Sequence, residues 1–118
     1  MQESALMHVT VKKTILTDAN FQTKILESER SILVVLYADW SGSCHIMAPI
    51  IEELMKTHQE KIQLGMLDVD SNPLVAKKYG FSALPILLFF RKGKLFDQIA
   101  GAIPKKILVE KLNALLRA

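Results

Sequence analysis

The sequence predicts an α/β domain, a central mixed sheet of about five strands flanked by about four helices. Three observations carry that expectation. Ile32-Leu33-Val34-Val35-Leu36-Tyr37 and Ile86-Leu87-Leu88-Phe89-Phe90 are apolar at every position, as in strands covered on both faces. Elsewhere apolar residues recur at helical spacing, as in Met47, Ile50, Ile51, Leu54 and Met55 and again in Ile107, Leu108, Leu112, Leu115 and Leu116. Arg91-Lys92-Gly93-Lys94 then separates two strand-like runs as a hairpin turn would.

Taken in order, residues 1–8 are mixed and expected to fray, and Val9 to Leu16 is rich in β-branched residues and reads as an edge strand. Thr17-Asp18-Ala19-Asn20 reads as a helix cap, with Thr17 or Asp18 accepting from the first-turn amides. Phe21, Ile25 and Leu26 then share one helical face through Ser28. Ile32 to Tyr37 is the expected central strand. The next helix should run from Ser43 to His58, interrupted by Pro49, which removes a backbone donor and favours a kink.

Ile62, Leu64, Met66 and Leu67 mark a further strand, and Ser71-Asn72-Pro73 introduces a short helix from Leu74 to Tyr79 that Gly80 ends. Ala83-Leu84-Pro85 leads into the second apolar strand, the hairpin returns through Leu95 to Ala100, and Gly101 breaks it. Pro104 is placed at the first turn of a final helix. The order is β, α, β, α, β, α, β, β, α, with parallel pairing expected where helices intervene and an antiparallel hairpin at the end.

Composition narrows the function classes. The 118 residues form one domain's length, 50% apolar and 23% charged, without a linker-like or low-complexity run, so 1–118 is expected to be a single domain and a monomer. The net charge of +3 is spread over Lys12-Lys13, Lys77-Lys78, Arg91-Lys92-Lys94 and Lys105-Lys106 with no interleaved aromatics, which argues against nucleic acid as a partner. One cysteine forms no intrachain disulfide, and no export signal or membrane-length apolar run is evident. The expected setting is therefore cytoplasmic, without a membrane partner. Cys44 with the scattered His8, His45 and His58 makes no metal set, and no cofactor is implied.

The candidate functional stretch is Trp40-Ser41-Gly42-Ser43-Cys44, between the central strand and the helix after it. It resembles the redox motif Trp-Cys-Gly-Pro-Cys of the thioredoxin family, and the likeness extends from Thr17 to Leu116. Ala48-Pro49 resembles the family's proline-interrupted helix, Asp70-Ser71-Asn72-Pro73 its Asp-x-Asn-Pro turn, and Gly93 and Gly101 its later glycines. Pro85 is similar to the family proline that takes a cis bond facing the site. The resemblance implies a thioredoxin-like fold and a protein-disulfide oxidoreductase ancestry, with partners among cysteine-bearing proteins and, for a cysteine-containing parent, a thioredoxin reductase. It further implies that Ser41 stands where the attacking cysteine stands, that Cys44 is the resolving cysteine, and that Trp40, Gly42, Ser43, Leu84 and Pro85 form the substrate face.

Four departures bear on the chemistry. Relative to the family, Ser41 replaces the first cysteine, Ser43 the middle proline, Val35 a buried aspartate and Met66 a nearby lysine. Disulfide reduction needs one thiolate to attack and a second thiol to resolve the mixed disulfide. A helix start favours a thiolate, but an unassisted alcohol is too weak an acid for that field to make Ser41 a nucleophile. Loss of the aspartate and of the lysine is mutually consistent, because either charge alone in a core would be costly.

The same residues also have structural readings. Ser41 and Ser43 can cap the helix, and Trp40 can serve as a core aromatic at a strand end. His45 follows Cys44 directly, but adjacent helical residues point about 100° apart, so the two do not form a nucleophile pair. Ser41-Gly42-Ser43 is not the Gly-x-Ser-x-Gly elbow of hydrolases. Three functions remain open: an oxidoreductase silenced by a cysteine-to-serine change, engineered or recently arisen; a redox-silent module that binds protein segments; and lone-thiol chemistry at Cys44.

Overall fold

The computed structural model describes residues 10–80 and 82–118, so the expectation of a frayed 1–8, and Val9 of the expected first strand, lie outside the described residues. Strand β1 is Thr14–Leu16, a π-helical turn follows at Gln22–Leu26, and β2 is Ser31–Tyr37. Helix α1 is Gly42–His58, β3 is Ile62–Asp68, and α2 is Pro73–Tyr79. The chain closes with β4 at Ile86–Arg91, β5 at Lys94–Ala100 and α3 at Lys105–Arg117. The five strands lie in the order β1-β3-β2-β4-β5, which makes the apolar β2 central, as its unbroken hydrophobicity predicts.

Pairing departs from the sequence expectation in one place. β1 and β2 run parallel to β3, but β4 runs antiparallel to β2 although α2 precedes it. α2 and its flanking turns do not act as a crossover: Ile86, the first residue of β4, pairs with Leu36 near the end of β2. The chain stays at the end where β3 finished and re-enters in the opposite direction.

Smaller corrections have local causes. β1 is shorter than the expected strand because the chain diverges from β3 before Thr14, leaving a pocket of about 60 Å³ lined by Lys12, Lys13, Gln63 and Leu64, among others; Val11 is buried in the core instead. The first helix is a π-helical turn. Thr17 Oγ1 accepts from the Asn20 N–H at 3.1 Å in the turn before it, the N-cap Phe21 has no side-chain cap bond, and Asp18 serves a different helix. α3 buries Leu108, Leu112 and Leu115, while Leu116 lies on its outer side. Pro104 is its N-cap rather than a first-turn residue.

The hairpin matches its sequence signal. Lys92 and Gly93 both have positive φ, 51° and 78°, between the paired Arg91 and Lys94, as a two-residue I′ turn demands. Gly93 is also a contact point, since a Cβ there would lie 2.2 Å from the Leu26 carbonyl oxygen. Phe21, Tyr79 and Phe90 form a ring cluster with centroids 5.8 to 6.1 Å apart, joining the π-helical turn, α2 and β4. At the chain start the Thr10 N–H and hydroxyl both donate to Glu52, holding that carboxyl below its ordinary range.

Candidate functional site

The parallel strands β2 and β3 both end at one edge of the sheet, and the chain leaves β2 through Ala38 and Asp39 into the start of α1. Ser41 is the N-cap of α1. Its backbone is extended, and its hydroxyl accepts from the Cys44 N–H at 3.3 Å, satisfying one of the free first-turn amides. The helix therefore begins at Gly42, one residue before the expected Ser43, and Ser43 lies half-buried inside its first turn. Ser41 is itself 8% exposed.

Helical spacing turns Cys44 inward with Met47, Ile51 and Met55, and it is only 3% exposed. It lines a cavity of about 10 Å³ together with Val35, Tyr37, Ala48, Ile51, Met66 and Pro85. Val35 and Met66 face each other in register across β2 and β3, so the two residues replacing the family's charged pair close the same space. A cavity of that size is at the lower limit for one water, and a water also needs two or more polar partners. The walls are almost wholly apolar and bring no carboxylate or amine to the sulfur.

Trp40 behaves oppositely. Its ring is 71% exposed, and its indole N–H donates to Asp70 Oδ2 at 2.8 Å, which rules out the core reading. Trp40, Val69, Asp70, Pro73, Ala76 and Leu84 line an open groove of about 270 Å³. The peptide bond between Leu84 and Pro85 is cis. Leu84 faces the groove and Pro85 the cavity, so this dipeptide separates the two spaces. Ile46 and Leu74 add further exposed apolar area, at 63% and 71%.

His45 is exposed, and its Nε2 lies 2.6 Å from the Asp39 carbonyl oxygen, to which it donates. The ring thus holds the loop before α1. Among the described residues no cluster of three or more His, Cys, Asp or Glu side chains could hold a metal, and no helix is long and apolar enough to cross a membrane.

Sequence reasoning placed Trp40, Leu84 and Pro85 in the site but missed the opposite wall of the groove, Val69, Asp70, Pro73 and Ala76. The Asp-x-Asn-Pro turn was the available signal, since it brings β3 into α2 at the sheet end where β2 also finishes. Nothing in the spacing of Trp40 and Asp70 announces their hydrogen bond across 30 residues.

Comparison with known proteins agrees with this architecture. The Thioredoxin family model matches residues 12–114. The chain is 40% identical over 97 residues to the thioredoxin of Chlorobaculum thiosulfatiphilum, covering 82% of this chain and 90% of that protein. It is 41% identical over 97 residues to thioredoxin 2 of Chlorobaculum tepidum, covering 82% and 89%. Against the chloroplastic M-type thioredoxin of Pisum sativum it is 39% identical over 99 residues, covering 84% of this chain and 58% of the relative. A five-stranded mixed sheet of this order, a helix starting at Trp40-Ser41-Gly42-Ser43-Cys44 and a family match over most of the length together establish that the chain belongs to the thioredoxin family.

Proposed function

We propose that this thioredoxin-family chain keeps the family's surface for holding protein segments and does not carry out dithiol exchange as it stands. One observation carries the reading: the single thiol is sealed under the surface at 3% exposure, while the apolar groove beside it, under a 71% exposed Trp40, is open. Attack would have to come from Ser41, whose hydroxyl caps α1 by accepting from the Cys44 N–H and, among the described residues, has no hydrogen bond to a basic side chain. Trp40, Gly42, Ser43, Leu84 and Pro85 form the docking face, Cys44 is a core residue beneath it, and the occupant is an extended segment of a partner protein. The chain acts as a monomer. A cytoplasmic setting suits a chain with one cysteine.

Cysteine-blocked insulin B chain is a suitable extended probe, with binding followed by calorimetry. Binding that persists in Cys44→Ser and is lost in Trp40→Ala is the expected result. Loss in Cys44→Ser with retention in Trp40→Ala overturns the reading.

A second reading is favoured by the one-atom difference between serine and cysteine at the helix start. In it the chain is an oxidoreductase silenced at a single position. Ser41→Cys would then reduce insulin disulfides in the presence of a dithiol, and an inert revertant excludes it. Val35 and Met66 weigh against this reading, because a single silencing change would not also replace them.

A further inference from the structure

The helix that forms one wall of the groove is poorly equipped to hold itself. α2 has seven residues, its N-cap Asn72 makes no side-chain cap, and its first turn carries no acidic residue. A helix that short is marginal by itself. Its free amides are satisfied from far away in the chain. The Asp18 carboxylate accepts from the Leu74 N–H at 3.1 Å through Oδ2 and from the Val75 N–H at 2.9 Å through Oδ1, across 56 and 57 residues. Both bonds are charge-assisted, and the carboxylate sits at the positive end of the helix dipole.

The contact is reciprocal and continues to the site. The Asp18 N–H donates to Asn72 Oδ1 at 2.9 Å, and Asn72 Nδ2 donates to the Asp68 carbonyl at 3.0 Å. Asp68 Oδ1 accepts from the Asp70 N–H at 2.9 Å, and Asp70 Oδ2 accepts from the Trp40 indole at 2.8 Å. One run of bonded residues thus joins the loop after β1 to both sides of the groove: Pro73 and Ala76 on α2, and Trp40 opposite.

Resting on the reading of that groove as the docking face, we infer that Asp18 is a positioning residue for partner binding, a clasp that fixes the start of α2 and, through Asn72 and the Asp68-to-Asp70 turn, the orientation of Trp40. It touches no bound segment. It sets the distance between the walls that would hold one.

The only tryptophan gives a direct readout, because a ¹⁵N-labelled protein shows a single indole N–H signal. In Asp18→Ala that signal should shift and exchange faster with water, and binding of cysteine-blocked insulin B chain should weaken about fivefold, the equilibrium equivalent of one lost helix cap. Asp18→Asn keeps one acceptor oxygen but loses the charge and turns an NH2 toward the other amide, so its indole shift and its loss of affinity should fall between those of wild type and Asp18→Ala. An unmoved indole signal in folded Asp18→Ala overturns the proposal even if the melting temperature falls, since the aspartate would then support the fold without orienting Trp40. Should Asp18→Ala fail to fold, Asn72→Ala cuts the same run one residue on, and a shifted or unshifted indole signal decides the matter there. If wild-type protein does not bind the B chain, the functional reading fails, while the indole signal still decides whether the clasp orients Trp40.

Discussion

Two spaces lie back to back on either side of Leu84 and Pro85, and they have opposite character. The cavity at Cys44 is about 10 Å³, narrow and apolar, while the groove at Trp40 is about 270 Å³ and holds a carboxylate bonded to its exposed ring. Of the four residues that differ from the family pattern, Val35 and Met66 line the cavity, while Ser41 caps α1 and Ser43 lies in its first turn. The residues that match the pattern at Trp40, Asp70, Pro73 and the Leu84-Pro85 pair frame the groove or the partition. On the proposed reading, the pair facing each other in the cavity has changed while Trp40 and the groove beside it are kept.

The contrast is broken most severely by placing a charge in the sealed space. Val35→Asp should destabilise the protein by about 4 kcal/mol at pH 7, because no cationic side chain among the described residues lines that space to offset the carboxylate. Burial would raise the folded-state pKa of that carboxyl above its unfolded value. The native state then binds more protons, so the deficit should shrink as pH is lowered through the raised pKa, as denaturant titrations at pH 5 and pH 7 would show. A deficit under 1 kcal/mol would mean that the cavity is not dry.

A second test reads the seal itself. Maleimide should modify Cys44 at least about 100-fold more slowly in the native protein than in denaturant, because reaction must await local opening. Equal rates would return lone-thiol chemistry to consideration. Ser41→Ala, at the boundary of the two spaces, should cost about 1 kcal/mol in unfolding free energy through loss of the α1 cap. On the open side, Trp40→Ala should change stability by about 0.5 kcal/mol or less, since its ring covers little of the core. A larger loss would show that the ring supports the fold as well as the groove.

Much of this architecture was legible in the sequence, for reasons that differ by element. Residues 32–37 of β2 and 86–90 of β4 are apolar at every position because both faces are covered, and the signal survives without knowledge of neighbours. The hairpin was legible because only a residue tolerant of positive φ suits the Gly93 position. The direction of β4 was not, since local sequence does not show at which end of the sheet the chain re-enters after α2. Local rules see only nearby amides and so offer Thr17 or Asp18 as the cap of the helix they precede; the amides Asp18 satisfies are 56 and 57 residues away. Trp40 and Ser41 were legible as positions through the family resemblance. The bond from Trp40 to Asp70 and the closure of the cavity by Val35 and Met66 needed the register of β2 on β3.

The burial of Cys44 has a practical side. A chain whose only thiol is shut away offers a clean background for site-directed chemistry. A cysteine introduced at an exposed rim position such as Ile46 or Leu74 would be the sole thiol open to a crosslinker or spin label. Neighbours captured through it would then report on that rim alone, and the sealed sulfur would add nothing to the signal.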